Sequence, residues 1–171
     1  MMDIQIDSRE KERAIKKIVA EFNRQSVNHF VSKLYVGDYQ NLDNPRVIVD
    51  RKQNLQELVG NVTQQHERFK KELIRAKEAN IQLVVLVEHG DGIEKLEDVY
   101  FWQNPRKHEV RWKWENGKRV KYVISAKAID GPQLYKSLCT IRDRYGVRFE
   151  FCSKDETGKR IIELLSKRND S

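Results

Sequence analysis

Three β-forming residues stand directly before an acid, an arginine and a lysine in the stretch VIVDRKQNL, residues 47–55. Because β-branched residues favour strands, we predict a buried strand from residue 46 to about residue 52. Side chains two positions apart share one face of a strand, so Asp50 and Lys52 point to the same side and Arg51 to the other. The pattern therefore predicts a rigidly held carboxylate and lysine, with a plain surface ion pair as the alternative.

The patterns on both sides of this strand predict an α/β fold. Alternation at Ile4 and Ile6 indicates a short strand that ends at Asp7, and IQLVVLVE (81–88) is typical of a strand covered on both faces. We predict two further strands, one over 32–39 that forms an antiparallel hairpin with 46–52, and one over 147–152. Helical periodicity predicts helices over 9–23, 55–76, 134–145 and 157–167. This order favours a mixed sheet flanked by helices, with residues 89–108 as a loop.

Three acids follow or end predicted strands: Asp7, Asp38 and Asp50. If these strands lie side by side, the three carboxylates converge at one edge of the sheet beside Lys52. Clustered carboxylates raise one another's pKa unless a cation neutralises them, and oxygen ligands suit Mg²⁺ or Mn²⁺. Such a metal can clamp a phosphodiester and activate water, while a lysine offsets charge in the transition state. The cluster therefore predicts phosphodiester hydrolysis.

An insertion with its own strand pattern lies at about residues 109–125. In HEVRWKWENGKRVKYVIS (108–125), Asn116-Gly117 predicts the two-residue turn of a β-hairpin. This turn pairs position 115 with 118, 114 with 119, and 112 with 121, so one face carries two indoles and two cations. We expect the hairpin to bind DNA phosphates and bases, unless its indoles pack on the body of the domain. The candidate residues are Arg111, Trp112, Lys113, Trp114, Arg119 and Lys121.

Composition limits the functional classes. With 171 residues the chain suits a single domain over 1–171, and its net charge of +7 favours a polyanionic partner, with a simple basic surface as the alternative. Cys139 and Cys152 have the setting of reduced core residues, which indicates an intracellular protein. No membrane-spanning run and no phosphate-binding glycine motif occur in the sequence. We therefore expect a cytoplasmic protein without a membrane segment or a nucleotide cofactor.

Five stretches resemble the nuclease domain of the XPF family of structure-selective endonucleases, a branch of the PD-(D/E)XK superfamily. They are IDSREK (6–11), LYVGDY (34–39), VDRKQNLQELV (49–59), VVLVE (84–88) and FCSKDETGKRIIELL (151–165). The family signature is G-D, a gap, then E-R-K and a further acid. This sequence has Gly37-Asp38, then Asp50-Arg51-Lys52, then Glu57, and the resemblance spans the chain apart from about 89–130.

The resemblance implies a restriction-endonuclease-like α/β fold and a role for each matching residue. Asp38 and Asp50 would be metal ligands, Asp7 a further acid ligand at the edge of the site, and Lys52 the catalytic lysine, with Arg51 in the catalytic set. Supporting residues would be Arg9, Glu10, Glu57 and Arg68. Asp50 stands where the family usually has Glu, so this ligand is one methylene shorter.

The resemblance also implies an activity: a Mg²⁺- or Mn²⁺-dependent endonuclease that cuts flapped, forked or four-way DNA in replication, recombination or repair. Family members often form dimers and carry a C-terminal helix-hairpin-helix module, which we do not expect in this protein. We therefore expect a stand-alone bacterial or bacteriophage version that could form a homodimer. The alternative is a non-catalytic scaffold that binds branched DNA, as in members that have lost their acids.

Overall fold

The computed structural model describes residues 2–90 and 92–167, which form eight strands. They are β1 (Asp3–Ile6), β2 (Asn28–Val31), β3 (Tyr39–Asn41), β4 (Asn44–Lys52), β5 (Gln82–Glu88), β6 (Val110–Glu115), β7 (Lys118–Val123) and β8 (Arg148–Cys152). Six of them form one mixed sheet in the order β2-β1-β3-β4-β5-β8. Only β3 runs antiparallel to its neighbours. The carboxyl ends of the other five strands therefore meet at one edge of the sheet.

Helices cover both faces of this sheet. They are α1 (Lys16–Arg24), α2 (Leu55–Val62), α3 (His66–Glu78), α4 (Gly131–Tyr145) and α5 (Thr157–Ser166), with short 3-10 helices at Glu12–Ile15, Leu96–Phe101 and Pro105–His108. Apolar residues of α1 and α5 pack on one face, and those of α2, α3 and α4 pack on the other. The prediction of an α/β fold with a mixed sheet flanked by helices is confirmed. No helix in the described part of the chain has the length and apolarity needed to cross a bilayer.

Strand β4 is buried on both faces, as its sequence predicts. Ile48 packs with α2, α3 and α4, whereas Val47 and Val49 pack with α1 and α5. The same alternation places Asp50 and Lys52 on the side of Ile48 and Arg51 on the opposite side. Parallel pairing with β5 extends through Lys52, so the end of β4 is held by main-chain hydrogen bonds.

The structure corrects several predicted elements. The predicted strand over 32–39 is wrong for residues 32–38, which form a loop between β2 and β3, but the predicted antiparallel pairing with β4 is present from Tyr39 onwards. At the end of this loop Gly37 has φ +67°, and a Cβ there would lie 2.5 Å from Ile48 Cγ2, so the position requires glycine.

The predicted helix over 55–76 is interrupted between α2 and α3. There the Thr63 hydroxyl donates to the carbonyl of Val59, and the Gln65 amide donates to the carbonyl of Gly60. Local hydrogen bonds thus replace the regular helical bonds. The segment 89–108, predicted as a loop, contains two short 3-10 helices.

The inserted hairpin forms with the predicted register. Asn116 and Gly117 have φ angles of 49° and 74°, and β6 pairs with β7 at positions 115/118, 114/119 and 112/121. Trp112 and Trp114 are 57% and 74% exposed. The alternative in which the indoles pack on the body of the domain is therefore wrong.

Candidate active site

Asp7, Asp38 and Asp50 come together at the carboxyl edge of the sheet. The Asp7 amide donates to the Asp38 carbonyl at 2.8 Å, and the Asp38 amide donates to the carbonyl of Val49 at 2.9 Å. The Arg51 amide then donates to Asp38 Oδ2 at 2.8 Å. Main-chain hydrogen bonds therefore fix the positions of all three acids relative to one another.

A cavity of about 260 Å³ opens at this edge. Asp7 is not among its lining residues. The other residues predicted for the site do line it: Arg9, Glu10, Asp38, Asp50, Arg51, Lys52, Glu57 and Arg68. The structure thus brings eight of the nine predicted residues to one cavity.

Asp50 and Lys52 form a buried ion pair. Lys52 Nζ lies 3.0 Å from Asp50 Oδ2, 4.0 Å from Glu57 Oε1, and over the ring of Phe69 at 5.6 Å. Burial by itself lowers the pKa of Lys52, but the charges of Asp50 and Glu57 outweigh this effect and raise the pKa above its ordinary value. The lysine therefore remains charged, where it can offset negative charge in the cavity.

Asp50 Oδ2 retains an unused bonding capacity. Lys52 Nζ pairs with this buried oxygen at 3.0 Å, but the oxygen accepts no hydrogen bond of regular geometry from the described residues. A carboxylate has about four lone-pair sites, so one lysine leaves Asp50 with capacity for a further ligand. The Asp50 carboxylate lies close enough to that of Asp38 to raise its pKa, and two such carboxylates together suit a hard divalent cation.

Asp38 shows the electrostatic cost of this arrangement. Burial raises the pKa of its carboxyl, and the charges of Asp50 and Glu10 raise it further, well above its usual range. Among residues 2–90 and 92–167, no group of three His, Cys, Asp or Glu side chains is arranged to hold a metal. Mg²⁺ commonly binds one or two carboxylates and completes its shell with water and substrate phosphate. The pair Asp38 and Asp50 fits that mode.

We expect Asp38→Asn to stabilise the metal-free protein at pH 8. Because the folded pKa of Asp38 lies above the reference value of 3.8, its stabilising contribution is complete below pH 3.8 and is lost as the pH rises through the folded pKa. Asparagine removes this cost and can still accept from the Arg51 amide. Thermal unfolding in EDTA should show a midpoint at least about 2 °C higher at pH 8, as about 1 kcal/mol produces in a domain of this size. An equal rise of the midpoint at pH 3.5, or a lower midpoint than the wild type at pH 8, would contradict the repulsion of Asp38 by Asp50 and Glu10.

The Asp7 carboxylate has other partners. Asp7 Oδ1 accepts from the Leu34 amide at 2.7 Å, and Oδ2 accepts from the amide and Nε of Arg9 at 3.1 and 2.5 Å. Burial raises the pKa of Asp7, but the hydrogen bonds of Arg9 and Leu34 lower it by more. Both oxygens of Asp7 thus anchor the loops after β1 and β2. This structural role differs from the metal ligation that the resemblance implied for Asp7.

The Arg51 side chain lies on the other side of β4, in a buried ion network. Its guanidinium contacts Glu10 at 2.7 Å and Glu88 at 3.0 Å. Burial alone lowers the pKa of Arg51, but the hydrogen bonds and charge of Glu10 raise it above its ordinary value. Tyr39 also donates to Glu10 at 3.4 Å. The guanidinium is therefore occupied in joining the loop after β1 to the ends of β4 and β5.

Two acids of this region were not among the predicted site residues. Glu88 ends β5 beside the end of β4, so its position at a strand end could have indicated it. Glu72 lies on α3, where its Oε1 accepts from the Gly37 amide at 3.0 Å, and it lines the cavity. Only the packing of α3 brings Glu72 there. Glu57, which is at the rim, accepts from the Gln53 amide at 2.8 Å and so fixes the turn between β4 and α2.

The protein is thus an α/β domain with two carboxylates and a lysine at the carboxyl edge of a mixed sheet. The family model of the ERCC4 domain matches residues 6–165, and the chain therefore belongs to this family, that of the XPF nucleases. None of the curated protein sequences matches the chain.

Solved structures show the same fold. XPF from Aeropyrum pernix superimposes with a TM-score of 0.59 at 18% identity, over 95% of this chain and 63% of that one. A second structure, XPF from Aeropyrum pernix in complex with DNA, gives 0.58 at 17% identity, over 96% of this chain and 64% of that one. This chain therefore spans less than two thirds of the length of either relative.

Proposed function

We propose that this protein is a metal-dependent, structure-selective DNA endonuclease. The observation that carries the proposal is the buried Asp50 Oδ2, which accepts no hydrogen bond from the described residues and lies beside Lys52 at an open cavity that Asp38 also lines. Membership of the ERCC4 family supports nuclease chemistry. A scaffold without catalysis has no physical reason to retain this costly arrangement of like charges.

Asp38 and Asp50 would hold Mg²⁺ or Mn²⁺ in this proposal. A bound divalent ion polarises the scissile phosphate and lowers the pKa of an attacking water. Lys52 stabilises the negative charge that develops on the phosphate, and Arg9 and Arg68 at the rim attract the DNA backbone. Asp7 and Arg51 act as positioning residues, because their polar atoms already bind neighbouring loops and acids.

The proposed substrate is branched DNA in replication, recombination or repair: a flap, a fork or a four-way junction. The net charge of +7 and the exposed basic hairpin suit a polyanion. The DNA-bound relative is consistent with this class of ligand. We further propose a single nuclease domain that acts in the cytoplasm and can pair as a homodimer.

Cleavage of end-labelled flap, fork, four-way and linear DNA in Mg²⁺ or Mn²⁺ tests the activity. We expect the wild type to cut at least one branched substrate faster than the linear duplex. Lys52→Ala should lower the cleavage rate about 10²- to 10³-fold, as the loss of one transition-state donor does in other enzymes.

The control is Lys154→Ala, which removes an exposed lysine outside the cavity and should leave cleavage unchanged. A wild type that binds branched DNA but cuts none of it in either metal would contradict the nuclease. The scaffold would then be the better description.

A further inference from the structure

The hairpin β6–β7 has one face without acids. Alternation along the strands places Trp112 and Trp114 on this face, opposite Lys121 and Arg119 respectively. The Arg119 guanidinium lies over the Trp112 ring at 5.5 Å. Both indoles are exposed beside two cations, so the face can stack on bases and attract a phosphate backbone at once. We call it the indole face.

The opposite face of the hairpin has a different electrostatic character. Lys113 Nζ lies 3.6 Å from Glu115 and over the ring of Tyr122 at 5.5 Å. Arg111 on the same face lies 4.0 Å from Glu109. Acids therefore offset the charge of Arg111 and Lys113, and these two residues, predicted to bind DNA with the indoles, point away from the indole face.

A groove of about 710 Å³ runs from the base of the hairpin along α2. Glu57 lines both this groove and the cavity of the candidate active site. Val123, at the base of the hairpin, also lines the groove, and the register places Val123 on the indole face. The groove also contains Arg106 and Lys127, and Glu57 is the one acid among the described residues that line it. The groove therefore adjoins the active-site cavity at Glu57 and the indole face at Val123.

We propose that the indole face and this groove bind one unpaired DNA strand of a branched substrate and lead it to or from the active site. The proposal rests on the proposed nuclease function and names the part of the substrate that is recognised. Bases in a duplex are stacked on each other, whereas unpaired bases can stack on Trp112 and Trp114. Each hairpin strand has six residues and spans about 20 Å, enough to contact several nucleotides.

Binding in EDTA tests the proposal without any cleavage. Fluorescence anisotropy would compare splayed-arm DNA, a labelled oligothymidylate and a blunt linear duplex. Trp112→Ala/Trp114→Ala should weaken binding of the first two at least about tenfold, because stacking of a base on an aromatic side chain contributes strongly to affinity. Affinity for the duplex should change less than about twofold, since phosphate contacts dominate there. The conservative pair Trp112→Phe/Trp114→Phe keeps an aromatic ring at both positions and should retain most of the affinity.

The matched control is Lys113→Ala/Tyr122→Ala on the opposite face, which we expect to leave the preference for single strands intact. Three outcomes would overturn the proposal: an equal loss on the opposite face, an equal loss for the duplex, or no loss with the alanine pair. The last would assign the indole face to a protein partner.

This test and the cleavage assay fail independently. If the tryptophan variant loses affinity for single strands while the wild type cuts no substrate, the strand-binding face stands and the nuclease proposal falls. If the wild type cuts branched DNA and the tryptophan variant binds every DNA normally, the nuclease stands and the strand-binding face falls. Circular dichroism of each variant would establish that the domain is folded.

Discussion

Asp50→Asn is expected to lower DNA cleavage at least about 1,000-fold. The substitution keeps the size of the side chain but removes the negative charge of the buried carboxylate that lines the cavity beside Lys52 and that we propose as a metal ligand. A metal contributes several kcal/mol to charge stabilisation in the transition state, and about 1.4 kcal/mol corresponds to tenfold in rate. Single-turnover cleavage with saturating protein measures the chemical step directly. Calorimetry should also show that Mn²⁺ binding by the wild type is lost in the variant.

Asp43→Asn is the matched control for this substitution. Asp43 is exposed just before β4, at the end of the strand opposite Asp50, and therefore about 20 Å from the site. The control makes the same Asp→Asn change at the other end of β4 and should leave both cleavage and Mn²⁺ binding unchanged. Cleavage by Asp50→Asn within tenfold of the wild type would exclude Asp50 as a required ligand.

Arg51→Met is expected to destabilise the fold by about 3–5 kcal/mol, the usual cost of removing one partner from a buried ion network. The side chains of Arg51, Glu10 and Glu88 are only 4%, 7% and 6% exposed. Without the guanidinium, two carboxylates remain buried close together without a cation. Urea unfolding, followed by circular dichroism at pH 7, measures this loss as a lower transition midpoint.

A triple variant separates the loss of charge pairing from the loss of packing. Glu10→Gln/Arg51→Met/Glu88→Gln removes both orphaned charges, and we expect it to recover most of the stability lost in Arg51→Met. If Arg51→Met lowers the free energy of unfolding by less than about 1 kcal/mol, water or protonation stabilises Glu10 and Glu88 in place of the guanidinium. No recovery in the triple variant would instead assign the loss to packing.

The sequence predicted the elements whose signal is local. The β-branched run before Asp50 predicted β4 because such residues suit a strand buried on both faces. Asn116-Gly117 predicted the hairpin register because that dipeptide adopts the two positive φ angles of the turn. Where the local signal was ambiguous, prediction failed: residues 32–38 include strand-forming residues, but only the two ends of this loop make main-chain hydrogen bonds to the described strands, from Ser32 to Ile6 and from Asp38 to Val49.

The residues that line the active-site cavity were predictable in part from the sequence and in part only from the tertiary structure. Chain order and the family motif predicted that Asp38, Asp50 and Lys52 meet. The predicted strand that ended at Asp38 was wrong, because Asp38 precedes β3, whose antiparallel direction places its start beside the end of β4. The hydrogen-bond partner of each carboxylate oxygen was not predictable from the sequence, because these partners come from distant segments of the chain. Leu34 supplies the amide that occupies Asp7, and α3 brings Glu72 to Gly37.

The sequence by itself thus determined the fold class, the family and the strand that presents Asp50 and Lys52, because periodicity and motif spacing are properties of neighbouring residues. Only the tertiary structure decided which partners occupy each acid, that Arg51 pairs with Glu10 and Glu88, and that the groove beside α2 adjoins both the indole face and the active-site cavity. Those features depend on hydrogen bonds and packing between segments far apart in the chain. Their distances are set when the sheet, the helices and the hairpin assemble.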